Sequence, residues 1–506
     1  MNSAQLETQL AHFPNYFANH VLLVVGALIF GIALSLPLAA LAIRKPRLAG
    51  PLLGLASIVQ TIPGLALLAL MVPLLGRIGV VPALLALILY SMLPILRNTV
   101  TGALEVDANV VEAARGIGMT EEQILMRVRF PLAAPVIVAG IRTSAVWTVG
   151  MATLSTPVGA TSLGNYIFSG LQTQNTVAVL LGCFGAALLA ITLDGLIRLA
   201  EIAAARRDAR LAWLSMACFA FAVGLSTAPI LSDAFEDRTR PTVSIGAKTF
   251  TEQYILAALI AEKLGDAGFD VVIRDGLGST VIFQALASDE IDVYVDYSGT
   301  LWANHLKRKE TEDAETVLAE VKRWLLAEHG ILSLGTLGFE NAYAFAMQDH
   351  RAEALGIQTL TDLAARSSAL SVGGDYEFFS RPEWIAVRDG YTMQFAEERS
   401  FDSTLMYTAV SDGHVDVISA FSTDGRIAAF DLVVLEDPLD ALPPYDAVIL
   451  VSKAGAQNPG LLAALRPLIG RINDSAMREA NRRVDLEHRP IPEVAHKLGN
   501  FSVEGE

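Results

Sequence analysis

EAARGIGMTEEQILMRVRFPLAAP, residues 112–135, lies between long apolar runs yet carries Glu112, Arg115, Glu121, Glu122, Arg127 and Arg129, with Gly116 and Gly118 among them. A polar, helix-prone segment between membrane spans has to lie in water, because hydrocarbon offers its charges and turn backbone no partner. It is therefore placed to meet a soluble protein. Ala113 and Ala114 are small enough for close helix approach, and Gly118 permits a left-handed turn that ends one short helix. The plainer reading is an ordinary basic loop on the cytoplasmic side.

Around it, apolar stretches of spanning length cover residues 21–43, 52–75, 80–96, 136–154, 177–199 and 211–231, each close to the roughly 20 residues a helical span requires. The third is short and holds Pro82 and Pro94. Basic residues favour one side: Arg44, Lys45 and Arg47 after the first run, Arg97 to Arg129 after the third, and Arg206, Arg207 and Arg210 after the fifth. The opposite loops hold only Arg77, and none between the fourth and fifth runs. That bias makes the basic side cytoplasmic, so six spans put both ends of the chain outside. Gln60-Thr61-Ile62-Pro63-Gly64 interrupts the second run; such polar, kinking breaks mark either a translocation path or a packing kink satisfied by neighbouring helices. Asp194 and Arg198, four apart near a span end, are expected to pair or snorkel. Gly182, Gly185, Ala186 and Ala187 suit close helix packing.

The totals agree with a chain of two natures. Its 506 residues are 53% hydrophobic and 18% charged, with mean hydropathy +0.45. Residues 1–231 contain 13 basic and 9 acidic residues, the remainder 24 and 44. A slightly basic apolar half followed by an acidic water-soluble half argues against nucleic acid as a partner. Cys183 and Cys218 both fall in apolar runs, so the acidic half needs no disulfide or thiol chemistry. The first nineteen residues are polar and lack a basic start, and no cleavable signal is expected. The sequence holds no G-x-x-x-x-G-K-[ST] loop, HExxH, Cys–His cluster or G-x-S-x-G elbow. We therefore expect no catalysis, no metal and no cofactor on this chain, with ATP bound by a separate subunit.

In the acidic half, 232–240 reads as a polar linker and Pro241 opens a domain. Residues 242–246, 271–274, 291–295, 342–346, 370–372, 415–419 and 447–451 read as short buried strands, separated by helical patterns such as 252–264 and 314–328. Alternating strand and helix predicts parallel sheets covered on both faces. The 265 residues from 242 to 506 leave room for two lobes with a cleft at the strand ends.

Glu112-Ala113-Ala114, Gly118 and Val128-x-Phe130-Pro131 resemble, in residue and spacing, the EAA loop of bacterial ABC-importer permeases. The spans over 21–199 resemble the binding-protein-dependent permease family, with the sixth span an added anchor. The acidic half resembles the periplasmic substrate-binding proteins of glycine betaine/choline/carnitine (quaternary amine) importers. It does so on IGAKTFTEQYIL (245–256), GLGST (276–280), IDVYVDYSGT (291–300), EFFSR (377–381), AFSTDGRI (420–427) and PPY (443–445). The resemblance implies that Glu112, Ala113, Ala114 and Gly118 dock into a groove on an ATPase. It also implies that Tyr297, Tyr343, Phe421 and Tyr445 occupy aromatic-cage positions, while Lys248, Thr300 and Arg381 hold a carboxylate. Phe421 stands where a tyrosine is expected, which keeps the ring and loses a hydroxyl. Asp424 either faces the cation or caps the turn before Gly425. Thr280 either donates to the ligand or belongs to a glycine turn. Arg388 rivals Arg381, but Arg381 alone fits EF-x-x-R.

The residue chemistry points the same way. A quaternary ammonium has no N–H to donate, so ring faces must hold it, at roughly 0.5–2 kcal/mol per desolvated contact. Several rings together reach micromolar binding, about −8 kcal/mol. Arginine gives a carboxylate two parallel bonds, so Lys248 and Arg381 would select betaines over choline. A lone strand tyrosine such as Tyr343 is more often core or rim than cage, whereas Tyr297 and Tyr445 stand out by their turn-like settings.

The reading is thus an N-terminal all-α polytopic membrane domain of about six spans over 1–231, a linker at 232–241, and a C-terminal α/β two-lobed periplasmic-binding-protein fold over 242–506. The expected setting is the bacterial inner (plasma) membrane, with the C-terminal domain extracytoplasmic. The expected function is import of a betaine such as glycine betaine by a homodimer of this chain in lipid, driven by two copies of an ABC ATPase. Ergothioneine, choline or carnitine are alternatives on the same architecture. A ligand-gated channel or tethered sensor is the reading from another class; a channel has no use for an EAA-type loop, and a sensor calls for a cytoplasmic signalling domain.

Overall fold

The computed structural model describes residues 3–173, 175–235, 240–308, 312–376, 378–403 and 405–500. The chain divides into two compact units, Met1–Phe168 with Val177–Arg238, and Thr239–Glu506 with Ser169–Thr176.

In the first unit, five described helices are long and apolar enough to cross a membrane: Leu10–Arg44, Val80–Leu104, Glu121–Val158, Thr176–Arg206 and Ala209–Ala228. The expected second span is a broken rod. Helices Pro46–Thr61 and Gly64–Leu75 meet at 99°, and count as a sixth crossing only if taken together. Pro63 has no N–H to continue the helix and biases Ile62 towards extended backbone; Ile62 accordingly sits at ψ 128°, and its carbonyl accepts from the Tyr90 hydroxyl. Asp194 forms its ion pair across helices with Arg142, at 3.3 Å, and Arg142 also meets Glu201 at 3.0 Å. Of the two outcomes expected for Asp194 and Arg198, pairing or snorkelling, the pairing gives way to this contact with Arg142.

The polar loop folds into two short helices. Asp107 caps Ala108–Gly116 by accepting from the Asn109 amide, Gly118 takes φ +88°, and a Thr120/Gln123 capping box starts Glu121–Ile124. Val111, Ala114 and Ile124 make a small core of their own, which leaves Glu112 and Ala113 exposed. The helix Ala209–Phe235 runs into the expected linker, of which 236–239 lie outside the described residues.

Among the described residues the second unit has ten strands: β1 Thr242–Lys248, β2 Asp270–Leu277, β3 Val293–Tyr297, β4 Leu332–Glu340, β5 Tyr343–Gln348, β6 Ser371–Asp375, β7 Glu397–Phe401, β8 Val417–Phe421, β9 Leu432–Val434 and β10 Asp446–Val451. They form two five-stranded sheets, ordered β2-β1-β3-β10-β4 and β7-β6-β8-β5-β9. The sheets are mixed rather than parallel. Strands β1, β2 and β3 run parallel, as do β6, β7 and β8, but β10 lies antiparallel to β3 and β4, and β5 antiparallel to β8 and β9. Each sheet is completed by a strand arriving from the other lobe, which enters against its neighbours. Strands β4, β7 and β9 lie outside the predicted set for separate reasons. Gly335 and Gly338 take φ +150° and +107° in β4 and break its alternation, β7 is a charged edge strand, and β9 has three residues.

Helix Thr251–Asp266 packs on β1 with Ile255, Leu259 and Ile260 fully inside. At its start Thr251 donates to the Asp485 carboxylate at 2.6 Å. In the other lobe Arg426 is held by Asp424 two residues before it, with Nε to Oδ1 at 2.8 Å. Burial lifts Asp485 to about 7, against the pull of the Arg426 charge. A carboxyl whose folded pKa is raised gives stability that is complete below its unfolded pKa, near 4, and is lost as pH rises through about 7. Replacing Asp485 by Asn is expected to remove that component, so wild-type and variant melting temperatures, measured from pH 4 to 8, should diverge as pH rises, with the wild type falling more.

Candidate functional site

Three strands of the second unit deliver side chains from their carboxyl ends to one hollow. Lys248 closes β1, Tyr297 closes β3 and Phe421 closes β8. Tyr343 opens β5 in register with Phe421, so the two rings lie side by side at 5.1 Å. Tyr445 precedes β10 and meets the Tyr343 ring edge-on at 5.8 Å. Arg381 is the N-cap residue of helix Pro382–Gly390. Together with Thr300, these side chains line a cavity of about 220 Å³. Gly299 explains the YSGT turn: a Cβ there would come within 2.7 Å of the Tyr445 ring, so only glycine lets the ring lie against this backbone.

Seven of the nine expected ligand residues are thus gathered, and two are not. Thr280 is exposed, and the cavity lining carries its neighbour Ser279 instead. Asp424 faces an adjoining cavity of about 30 Å³, where its carboxylate accepts from the Arg426 amide at 2.9 Å and pairs with the Arg426 guanidinium; it caps its turn. Arg388 is surface-exposed beside Asp389. Glu377 of EFFSR lies outside the described residues. Phe250 joins the lining without having been singled out. It stacks on Tyr297 at 6.1 Å and lies parallel to Phe421 at 6.4 Å. Its signal was its place at the end of β1 in KTFTE, two residues after Lys248.

Both cations of the site are buried and already paired. The Lys248 ammonium, 3% exposed, is bound to Asp296, which also accepts from the Tyr294 hydroxyl at 2.5 Å and the Tyr297 amide at 2.8 Å. Arg381 donates through Nε and Nη2 to Glu383 Oε1 at 3.4 and 3.2 Å, and Tyr445 donates to the same oxygen. Burial works against the Arg381 charge, but the Glu383 carboxylate beside it favours the charged form. Burial likewise pushes the Tyr297, Tyr343 and Tyr445 hydroxyls well above their ordinary range, so they stay protonated. The cations also sit over rings, Lys248 at 5.4 Å from the Tyr297 centroid and Arg381 at 5.1 Å from that of Tyr343, within cation–π range. An incoming carboxylate therefore meets cations that Asp296 and Glu383 have partly neutralised. Asp375, Asp402, Ser403 and Asn341 complete a polar side of the lining.

Comparison with known proteins covers both units. Residues 28–240 match the family model described as the binding-protein-dependent transport system inner membrane component, and residues 241–498 match that of the substrate binding domain of ABC-type glycine betaine transport systems. The ergothioneine transport permease/ergothioneine binding protein of Helicobacter pylori is 32% identical over 452 residues, 86% of this chain and 80% of that protein. The choline transport system permease protein of Bacillus subtilis is 44% identical over 182 residues, 36% of this chain and 83% of that protein. The glycine-betaine-binding protein of Pseudomonas aeruginosa is 35% identical over 269 residues, 50% of this chain and 86% of that protein. With a permease half and a receptor half both matched in one polypeptide, the chain belongs to the ABC-importer permeases fused to a substrate-binding domain for quaternary amines and related osmoprotectants.

Proposed function

We propose that the chain is the permease and receptor of an importer for betaines, zwitterions that carry a trimethylammonium group and a carboxylate. The observation that supports this most directly is the convergence of Phe250, Tyr297, Tyr343, Phe421 and Tyr445 on one cavity beside Lys248 and Arg381. Ring faces attract a cation that offers no hydrogen bond, and the two buried cations orient the other end. Glycine betaine is the smallest cargo of this class. Ergothioneine is the second reading. It is favoured by similarity along four-fifths of the Helicobacter protein, and by Asp375, Asp402 and Asn341 on the lining, which can receive the N–H donors that its ring has and glycine betaine lacks.

The permease family is a multi-pass inner-membrane one that works with an ATPase. In our reading Glu112, Ala113 and Gly118 face that ATPase, which holds the ATP, and Ala114 supports them from the loop's own core. Two copies of this chain and two ATPases make the working assembly, with the receptor half extracytoplasmic. Ile117 and Met126, exposed in the same polar loop, offer that joint an apolar contact.

Three measurements test this. In a thermal-shift screen of the full chain, glycine betaine, proline betaine, carnitine, choline and ergothioneine are added in turn. Stabilisation by at least one carboxylate-bearing member is expected, and none by any would remove the cargo class. Arg381→Ala, made together with Glu383→Gln so that no buried charge is orphaned, should weaken that betaine by about tenfold or more while choline changes little; equal losses would make Arg381 a fold residue. Glu112→Lys should abolish uptake into proteoliposomes yet leave ligand binding unchanged, and retained uptake would remove the coupling role.

A further inference from the structure

One buried carboxylate stands beside the cage. Glu252 is 2% exposed and stands in the first turn of the 16-residue helix Thr251–Asp266, where the aligned amide dipoles favour a negative charge. Each of its oxygens takes two hydrogen bonds. Oε1 accepts from the Tyr297 hydroxyl at 2.5 Å and Asn341 Nδ2 at 3.0 Å. Oε2 accepts from the Thr423 hydroxyl at 2.6 Å and Asn481 Nδ2 at 3.1 Å. The direction at Tyr297 is settled by Gln253, whose Nε2 donates to the same hydroxyl at 3.0 Å, leaving its proton for Glu252. Four donors match the four lone-pair sites of an ionised carboxylate.

The four donors come from four places in the fold. Tyr297 ends β3 of the first sheet, and Asn341 lies between β4 and β5, where the chain passes from one lobe to the other. Thr423 follows β8 of the second sheet, two residues after the cage ring Phe421. Asn481 sits on helix Asp474–Asp485 and also donates to the Thr423 carbonyl at 3.0 Å. Opening the lobes would take Thr423 away from a carboxylate that remains tied to Tyr297 and Asn341. A buried anion that loses a charge-assisted bond must recover it from water or lose that stabilisation. Burial already pushes the Glu252 pKa up against these four bonds, so little spare stabilisation is present.

We propose that Glu252 is the positioning residue that ties the Tyr297 face of the cage to closure of the two lobes, so that its carboxylate governs how long a trimethylammonium ligand is held. This rests on the cage reading above. The full chain in lipid nanodiscs, with glycine betaine and ergothioneine as probes, tests it by stopped-flow association and dissociation rates. Glu252→Gln keeps the side-chain volume and is expected to raise the dissociation rate about tenfold or more, with association changed about twofold at most. Thr423→Val removes a single donor on the second lobe, so it should fold even if the other variant does not, and it should act in the same direction. The double variant should release ligand no faster than Glu252→Gln alone, because both break one link. Unchanged dissociation in Thr423→Val, additive effects in the double variant, or a lowered ligand-free melting temperature with unchanged dissociation would each overturn the proposal. If the wild-type chain holds neither probe, the cage reading falls and takes this proposal with it; if it holds one and the variants hold it as long, only this proposal falls.

Discussion

Desolvated charge is the constraint around which the receptor half is arranged. A cavity walled by aromatic rings holds little water at their faces, and exclusion of water makes every neighbouring ionic group costly unless it is paired. The pairs are accordingly built in: Lys248 with Asp296, Arg381 with Glu383, and Glu252 within four hydrogen bonds. The rings take part in this pairing. Tyr445 donates to Glu383 and Tyr297 to Glu252, so the hydroxyls that make these residues polar are spent on the scaffold and leave their faces for the cavity.

The membrane half obeys the same rule in another solvent. Hydrocarbon supplies no hydrogen bonds, so a break in a helix persists only where protein groups complete it. At Ile62-Pro63 the Tyr90 hydroxyl does so. The ion pairs of Arg142 with Asp194 and Glu201 join two long, largely apolar helices, where a charge gains by having a partner. The polar loop needs no such help. Its caps at Asp107 and Thr120 and the left-handed Gly118 satisfy the helix ends locally, which is why residues so polar can hold a definite shape.

The architecture was legible in the residues because its signals are local. Apolar run length marked the long helices, and Gly118 marked the end of a short one. That these side chains share one cavity was legible for a related reason: Tyr297 and Tyr445 sit in turns, and Lys248, Tyr297 and Phe421 end strands, where an α/β fold opens its cleft. Strands β4, β7 and β9 were missed because glycine, charge and brevity erase the alternation that identifies a strand.

What only tertiary structure decided concerns which groups meet. Residue order along the chain cannot say that β5 and β10 enter the opposite sheets antiparallel, since that depends on how the two crossings return. Nor can it say that Asp194 turns to Arg142 rather than to Arg198, that Thr280 yields to Ser279 at the cavity, or that Lys248 and Arg381 arrive with counter-ions. Glu252 is the clearest case. In the sequence it is one acidic residue at a helix start, and its weight comes from Tyr297, Asn341, Thr423 and Asn481, which lie 45 to 229 residues further along the chain and meet only when both lobes have folded. Local pattern settles which elements form; the pairing of buried polar groups is a long-range matter, fixed by where desolvation leaves them no other partner.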